Sequence, residues 1–395
     1  MPPEAGEDAA MLLPRLQSAL RQFQSSGKAF QLLGTSTAPR RCGTLIILDS
    51  SFNPPSLAHM QMATSALQDI RRQGQGNGKG KGAGLEDDCR LLLLLAVNNA
   101  DKAPKPAAFE HRLLMMHKFA GDVQKAWRGT TRATEQEDDS DLPVDIGLTA
   151  HPFFHEKSAA IAASPEYSFS SPANPASSSE PHTEQVVLAG FDTLIRIFDP
   201  KYYQPPVPET AVDAPTADKK TPMQIALDPF FARARLRITM RTDDDWGSKE
   251  DQQQYVERLV DGDELDKVGG RREWARRVEM VHGMVGSKEQ AVVSSTLARE
   301  AVKARNWARL KNLVPESVAD LIERGKGGHE KCSELDSFQV HAQIASGYED
   351  EVNILLCNMS KPMMCNEKKK EAASQTSIDC HPAKAPEGKT SGKSG

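Results

Sequence analysis

Residues 44–59 read TLIILDSSFNPPSLAH, and the change of pattern inside this stretch decides the fold. Thr44–Asp49 is a short, continuous apolar run, as expected of a strand buried on both faces of a parallel sheet. A turn rich in Ser, Asn and Pro follows, and a helical stretch then runs from about Leu57 to Ile70. The N-terminus of that helix offers unpaired N–H groups and a positive dipole end, which suit a polyphosphate. Pro54 and Pro55 stiffen the turn and suit a helix start. His59 falls in the first helical turn, where its ring can reach the same phosphates as Ser51. On spacing alone, the segment fits equally well an ordinary strand–turn–helix with a capping Ser and a surface His.

The same alternation extends outward. Further strands are expected at 91–97, 144–149, 186–189 (ending at Gly190), 235–241 and 291–293. Helices are expected over 11–33, where Leu12, Leu16, Leu20 and Phe23 repeat at helical spacing, around 109–119 and 274–285, and from Ser294 or Ser295 onward. Strands alternating with helices predict an α/β domain with a Rossmann-like parallel sheet, helices on both faces and ligands at the carboxyl ends of the strands. Residues 1–40 read as an N-terminal helical extension and 41–325 as the main domain. That domain carries flexible insertions near 73–84 (QGQGNGKGKGAG), 164–183 and 204–222. Residues 326–395 read as a polar, disordered tail, and protein partners would bind through the insertions and this tail.

Composition narrows the class. The chain has 395 residues, 38% of them hydrophobic, so a sizeable core can form. Its net charge of −5 carries no basic excess of the kind that general nucleic-acid binding needs. The cysteines form no Cys-x-x-Cys pair, which points away from a disulfide framework or zinc site and toward a reducing compartment. His151 and His155 lie four apart, but Pro152 between them disfavours a helical metal pair. The N-terminus lacks a basic-then-apolar signal pattern, and the longest apolar run, 91–97, is too short to span a membrane. The expectation is a soluble protein of the cytoplasm or nucleus.

A second motif lies far along the chain. Ser294, Ser295 and Thr296 open a helix, and Arg299 follows in its first turn. Hydroxyls and N–H groups at a helix start make an anion cradle, to which an Arg adds a charged fork. A plain Ser/Thr cap followed by a surface Arg reads the same way. Paired with the turn at 50–56, the motif would bracket one polyphosphate between the first and last strands.

The two motifs together resemble the nucleotidyltransferases with a His-x-Gly-His loop and an Ile-Ser-Ser-Thr-x-x-Arg motif. Within that superfamily the chain is similar to the eukaryotic nicotinamide mononucleotide adenylyltransferases, nearest a divergent fungal branch. Ser51, Phe52, Asn53, Pro54 and His59 match the family's Gly-Ser-Phe-Asn-Pro-x-Thr-x-x-His loop, with Ser56 for Thr and Ser50 for Gly. VNNADKAPKPAAFEHRLLMM (97–116) places Lys102, His111 and Arg112 on matching positions, and Gly190-Phe191-Asp192 resembles Gly-Ala-Asp. Tyr203 falls where the family has a Trp lining the nicotinamide pocket, with Tyr202 beside it. Arg241 matches an Arg that ends a strand. Residues 294–324 resemble the C-terminal segment throughout. Leu297 stands in place of a Lys, Ala291 where an Asn often lies, and the earlier pocket Trp near residues 148–149 has no counterpart.

The resemblance implies in-line attack by the phosphate of nicotinamide mononucleotide on the α-phosphorus of ATP, releasing pyrophosphate. His59 and Arg299 would be the catalytic groups. ATP would be held by Ser51, His59, Gly190, Asp192, Ser294, Ser295, Thr296 and Arg299. The acceptor would meet Ser51, Phe52, Lys102, Tyr202, Tyr203 and Arg241. Mg²⁺ would be bound mainly through the ATP phosphates, without a dedicated protein metal site. Other acceptors (nicotinate mononucleotide or phosphopantetheine) and a catalytically weak nucleotide-binding regulator are the alternatives.

Overall fold

The structure, a computed structural model, describes residues 9–35, 42–76, 89–97, 107–132, 142–167, 183–203, 220–241, 246–283 and 293–324. All of these lie in the first of two units, Met1–Gly347, and the second unit, Tyr348–Gly395, falls outside the described residues. In chain order the elements are α1 (Ala9–Ser26), β1 (Phe30–Thr35), β2 (Thr44–Asp49), α2 (Leu57–Gly76), β3 (Cys89–Ala96), α3 (Phe109–Arg132), β4 (Val144–Thr149) and α4 (Phe154–Ala162). They continue as β5 (Glu184–Gly190), α5 (Phe191–Ile197), α6 (Pro222–Arg233), β6 (Ala234–Thr239), α7 (Lys249–Asp261), α8 (Glu264–Lys267), β7 (Val278–Val281), α9 (Ser295–Lys303), α10 (Trp307–Lys311) and α11 (Glu316–Arg324). Short 3-10 turns occupy Pro200–Tyr203 and Arg272–Arg277.

The strands form one sheet in the order β1-β4-β3-β2-β5-β6-β7, parallel throughout except for β1, which runs antiparallel along the edge of β4. β2 is central, and side-chain alternation splits its apolar run between two layers. Ile46 and Leu48, with Leu91, Leu93 and Leu95 of β3, face α1, α2, α3 and the C-terminal helices. Leu45 and Ile47, with Leu92 and Leu94, face α4, α5, α6 and α7. This is the expected Rossmann-like α/β arrangement with helices on both faces. The order reverses between β2 and β5, so the crevice for a ligand opens outside the carboxyl ends of those two strands.

Local chemistry sets several boundaries. Thr221 caps α6 with a reciprocal Gln224 box and Pro222 at its first position, and Ser248 with Asp251 does the same for α7. The helix expected over 11–33 stops at Ser26, because Gly27 takes a left-handed φ of 66° that ends it. The chain then returns as β1, so part of the expected helical extension is an edge strand. The helix expected over 274–285 is also corrected. A 3-10 turn gives way to β7, which pairs with β6 from Leu236 opposite Val278, while the Glu279 carboxylate forms an ion pair with Arg235. A short alternating segment is cheap to recruit as an edge strand when a parallel neighbour is already in place. The strand expected at 291–293 falls mostly outside the described residues, and Val293 is not in a strand. Of the three expected insertions, residues 77–84, 168–182 and 204–219 are likewise outside.

Among the described residues no helix is long and apolar enough to cross a membrane. Cys42 and Cys89 are buried. Leu93 has no exposed surface, so Leu93→Ala is expected to destabilise the protein by about 2–5 kcal/mol. Urea titration checks this as a lowered midpoint with an unchanged slope.

Candidate active site

The loop after β2 opens into the crevice and is pinned from two sides. Phe52 adopts a left-handed φ of 48°, a conformation that costs a non-glycine residue about 1 kcal/mol or more. Its ring offsets this by complete burial between His59, at 5.8 Å, and Phe119, at 6.2 Å. From α3, Arg112 Nε donates to the Ser51 carbonyl at 2.7 Å while its guanidinium lies 4.6 Å from the Phe109 ring centre. Burial pulls the Arg112 pKa down to about 10, which still leaves it charged at neutral pH.

The C-terminal motif supplies the other side. Ser294 caps α9 by accepting from the Leu297 N–H. Ser295 Oγ donates to the Pro54 carbonyl at 2.8 Å, and Arg299 Nη1 donates to the Asn53 carbonyl at 2.9 Å. Arg299 also donates to Thr296 Oγ1. Burial lowers the Arg299 pKa, and neither partner, a carbonyl and a hydroxyl, cancels its charge. The two motifs therefore meet directly, across more than two hundred residues of sequence.

Hydrogen bonding fixes the state of His59. The Ser56 N–H donates to Nδ1 at 3.0 Å, and a backbone N–H can only donate, so Nδ1 carries no proton. Nε2 then holds the proton and donates to Ser50 Oγ at 2.9 Å. Burial, with a smaller contribution from the Arg241 charge, lowers the His59 pKa to about 4. The imidazole is thus neutral at physiological pH and presents an N–H at the mouth of the loop.

Across the switch point, β5 ends in Gly190 and α5 begins. Asp192 Oδ1 accepts from Arg241 Nη2 at 3.0 Å and Nε at 3.2 Å, with Arg196 at 3.6 Å from Oδ2. Gln252 of α7 holds the Arg241 backbone at both its N–H and its carbonyl. A Cβ at Gly190 would lie 2.6 Å from Asp192 Oδ1, so glycine is what lets this carboxylate fold back over the strand end. Beyond α5, Tyr203 donates its hydroxyl to the Ile197 carbonyl at 2.7 Å and lies 5.6 Å from the His155 ring. His155 stacks on Phe153, and Phe153 approaches Tyr202. Burial raises the Tyr203 pKa and lowers that of His155.

No protein-family model matches the chain. A curated protein of Schizosaccharomyces pombe (strain 972 / ATCC 24843), named "Putative nicotinamide mononucleotide adenylyltransferase", is 30% identical over 281 residues, covering 71% of this chain and 84% of its own length. The chain belongs to the nicotinamide mononucleotide adenylyltransferase-like family.

The family's motif positions fall into two groups here. Ser51, His59, Ser294, Ser295, Thr296 and Arg299 gather around the loop, and Gly190, Asp192 and Arg241 form a second group at the end of β5. Tyr202 and Tyr203 join an aromatic cluster with His155 and Phe153. The sealed Phe52 ring anchors the loop from below, which leaves its backbone as the part that can face an acceptor. Lys102 lies outside the described residues. Sequence reasoning treated Ser50 only as a departure from glycine and gave no role to Phe153, while His155 entered only as half of a disfavoured metal pair. Ser50 receives the His59 proton, a contact between positions nine apart that no motif encodes. Phe153 and His155 are matched with tyrosines some fifty positions later, and only the fold brings these together.

Two outcomes follow from this geometry. The unfolded chain takes up the His59 proton near pH 6.5 and the folded chain only near 4. The stability contributed by neutral His59 is therefore complete above pH 6.5 and is lost as pH falls toward 4. Because the ring is only partly covered, the expected loss is about 1–3 kcal/mol. Urea unfolding across this window should be steeper in pH for the wild type than for His59→Gln. Separately, Gly190→Ala forces Asp192 off Arg241 and is expected to lower any nucleotidyl transfer by about tenfold or more, equivalent to about 1.4 kcal/mol. Steady-state kinetics beside a thermal melt separate this from misfolding.

Proposed function

We propose that this protein is an adenylyltransferase that joins ATP to nicotinamide mononucleotide, giving NAD and pyrophosphate. The observation that carries this reading is the direct docking of α9 on the loop after β2, with Arg299 from α9 and His59 from α2 both hydrogen-bonded to the short segment Ser50–Asn53 at the switch point. The family membership supports the same reaction class.

In-line attack of one phosphate on another needs alignment and charge neutralisation more than a base, because the attacking oxygen is already anionic. His59 suits that role as a neutral donor. An incoming phosphate oxygen replaces Ser50 Oγ as the acceptor of the Nε2 proton, and the freed Ser50 hydroxyl can donate to the same phosphate. Arg299, with the hydroxyls of Ser294 and Thr296 and the backbone N–H of Ser295, would take the β- and γ-phosphates and the charge that builds on the leaving pyrophosphate. Ser51 lies on the exposed side of the loop, placed to contact the phosphates of both substrates. Gly190 and Asp192 would receive the adenosine side. Tyr202, Tyr203, Lys102 and Arg241 would meet the acceptor, with His155 and Phe153 adding flat ring surface.

Mg²⁺ fits this donor set as a cation held mainly by phosphate oxygens. Among the described residues no group of three or more His, Cys, Asp or Glu side chains could hold a metal. Asp192, just past the end of β5, already bonds Arg241. Bound there, the ion would neutralise phosphate charge.

Pyrophosphate release from ATP and Mg²⁺, measured over a panel of acceptors, tests the reading. Turnover is expected with nicotinamide mononucleotide, and His59→Ala should lower it by about 100-fold or more. Equal rates in the two proteins would sink the mechanism. Turnover only with nicotinate mononucleotide or phosphopantetheine would reassign the acceptor. ATP binding without turnover on any acceptor would favour a regulatory protein.

A further inference from the structure

β2 delivers a buried carboxylate to the edge of the phosphate loop. Asp49, its last residue, is only 7% exposed at its side chain, and Lys157 of α4 pairs with it while 9% exposed. Lys157 Nζ donates to Asp49 Oδ2 and also lies 5.1 Å from the Phe154 ring centre. The walls around the pair are largely apolar, with Ile47, Leu94, Ile161 and Val187 beside Ser158. Charges in such surroundings are weakly screened, so an unmatched carboxylate would act at longer range than one in water.

Asp49 stands one residue before Ser50 and two before Ser51. At 3.8 Å per residue, its backbone is within about 8 Å of the loop position where the polyphosphate is placed. A bare carboxylate there would repel every phosphate charge. Lys157 comes from the opposite face of the sheet to α2 and α9, so none of the loop's own contacts supplies this cation.

We propose that Lys157 is a positioning residue that acts through Asp49: by cancelling that carboxylate, it keeps the loop attractive to a nucleoside triphosphate. The proposal rests on the nucleotide-binding reading above and deepens it. Its signature is dependence on ligand charge, because a field at the loop weakens a polyanion and leaves an uncharged nucleoside alone, whereas general loosening of the site weakens both.

The test is calorimetric titration of the full chain at about pH 8 with ATP and with adenosine, without acceptor. Lys157→Met is expected to weaken ATP binding by about tenfold, roughly the effect of one uncompensated charge at this range, and to leave adenosine within about twofold. Asp49→Asn combined with Lys157→Met removes both charges and is expected to return ATP affinity to within about threefold of wild type. Equal weakening of ATP and adenosine in Lys157→Met overturns the proposal, as does unchanged ATP affinity. Should the single variant fail to fold, the double variant decides: ATP affinity near wild type supports the proposal, and a tenfold loss overturns it. A wild type that binds no ATP fails the nucleotide reading itself. A wild type that binds ATP but turns over no acceptor leaves this test standing.

Discussion

Three carbonyl oxygens of one loop govern the arrangement of the site. Those of Ser51, Asn53 and Pro54 take their hydrogen bonds from Arg112 on α3 and from Arg299 and Ser295 on α9. A buried carbonyl without a donor costs about as much as a lost hydrogen bond, so the loop holds its shape only while both helices are seated. α9 is seated by Ala298, Ala301 and Val302 against the layer that also covers β2 and β3. Leu57 at the start of α2 adds a backbone bond to Leu313, between α10 and α11. The C-terminal segment is thus part of the loop's foundation, and the site and the core share the same contacts.

The charges of the site follow a consistent logic. Carboxylates near the crevice are matched, Asp192 by Arg241 and Asp49 by Lys157. Arg112 and Arg299 instead donate to neutral carbonyls, which engages part of each guanidinium without cancelling its charge. Among the described residues the charges left uncancelled beside the loop are those of Arg112 and Arg299, and His59 contributes an N–H rather than a charge. That combination favours a polyanion entering a partly dry cleft, where fixed donors act more strongly than in water.

Much of this architecture was legible before any coordinates. A five-leucine run for β3, the apolar run of β2 and the Ser-Asn-Pro turn between strand and helix each depend on neighbours in sequence, and their readings agree with the structure. The edges were less legible. β1 and β7 are short strands whose residues also suit a helix, and pairing with β4 and β6 settled them. The direction of the Phe52 ring was not legible, because a motif position does not say which way a side chain points. Its left-handed backbone turns the ring into the core.

The sequence by itself determined a doubly covered parallel sheet and two anion-suited helix starts, since periodicity and turn chemistry are local properties of the chain. Only the tertiary structure decided that these two helix starts form one site, that the His59 proton sits on Nε2 facing Ser50, and that Lys157 answers Asp49. Each of those depends on atoms brought within about 3 Å from distant or oppositely facing elements. Hydrogen-bond direction and charge matching are set at that range, where sequence spacing carries no information.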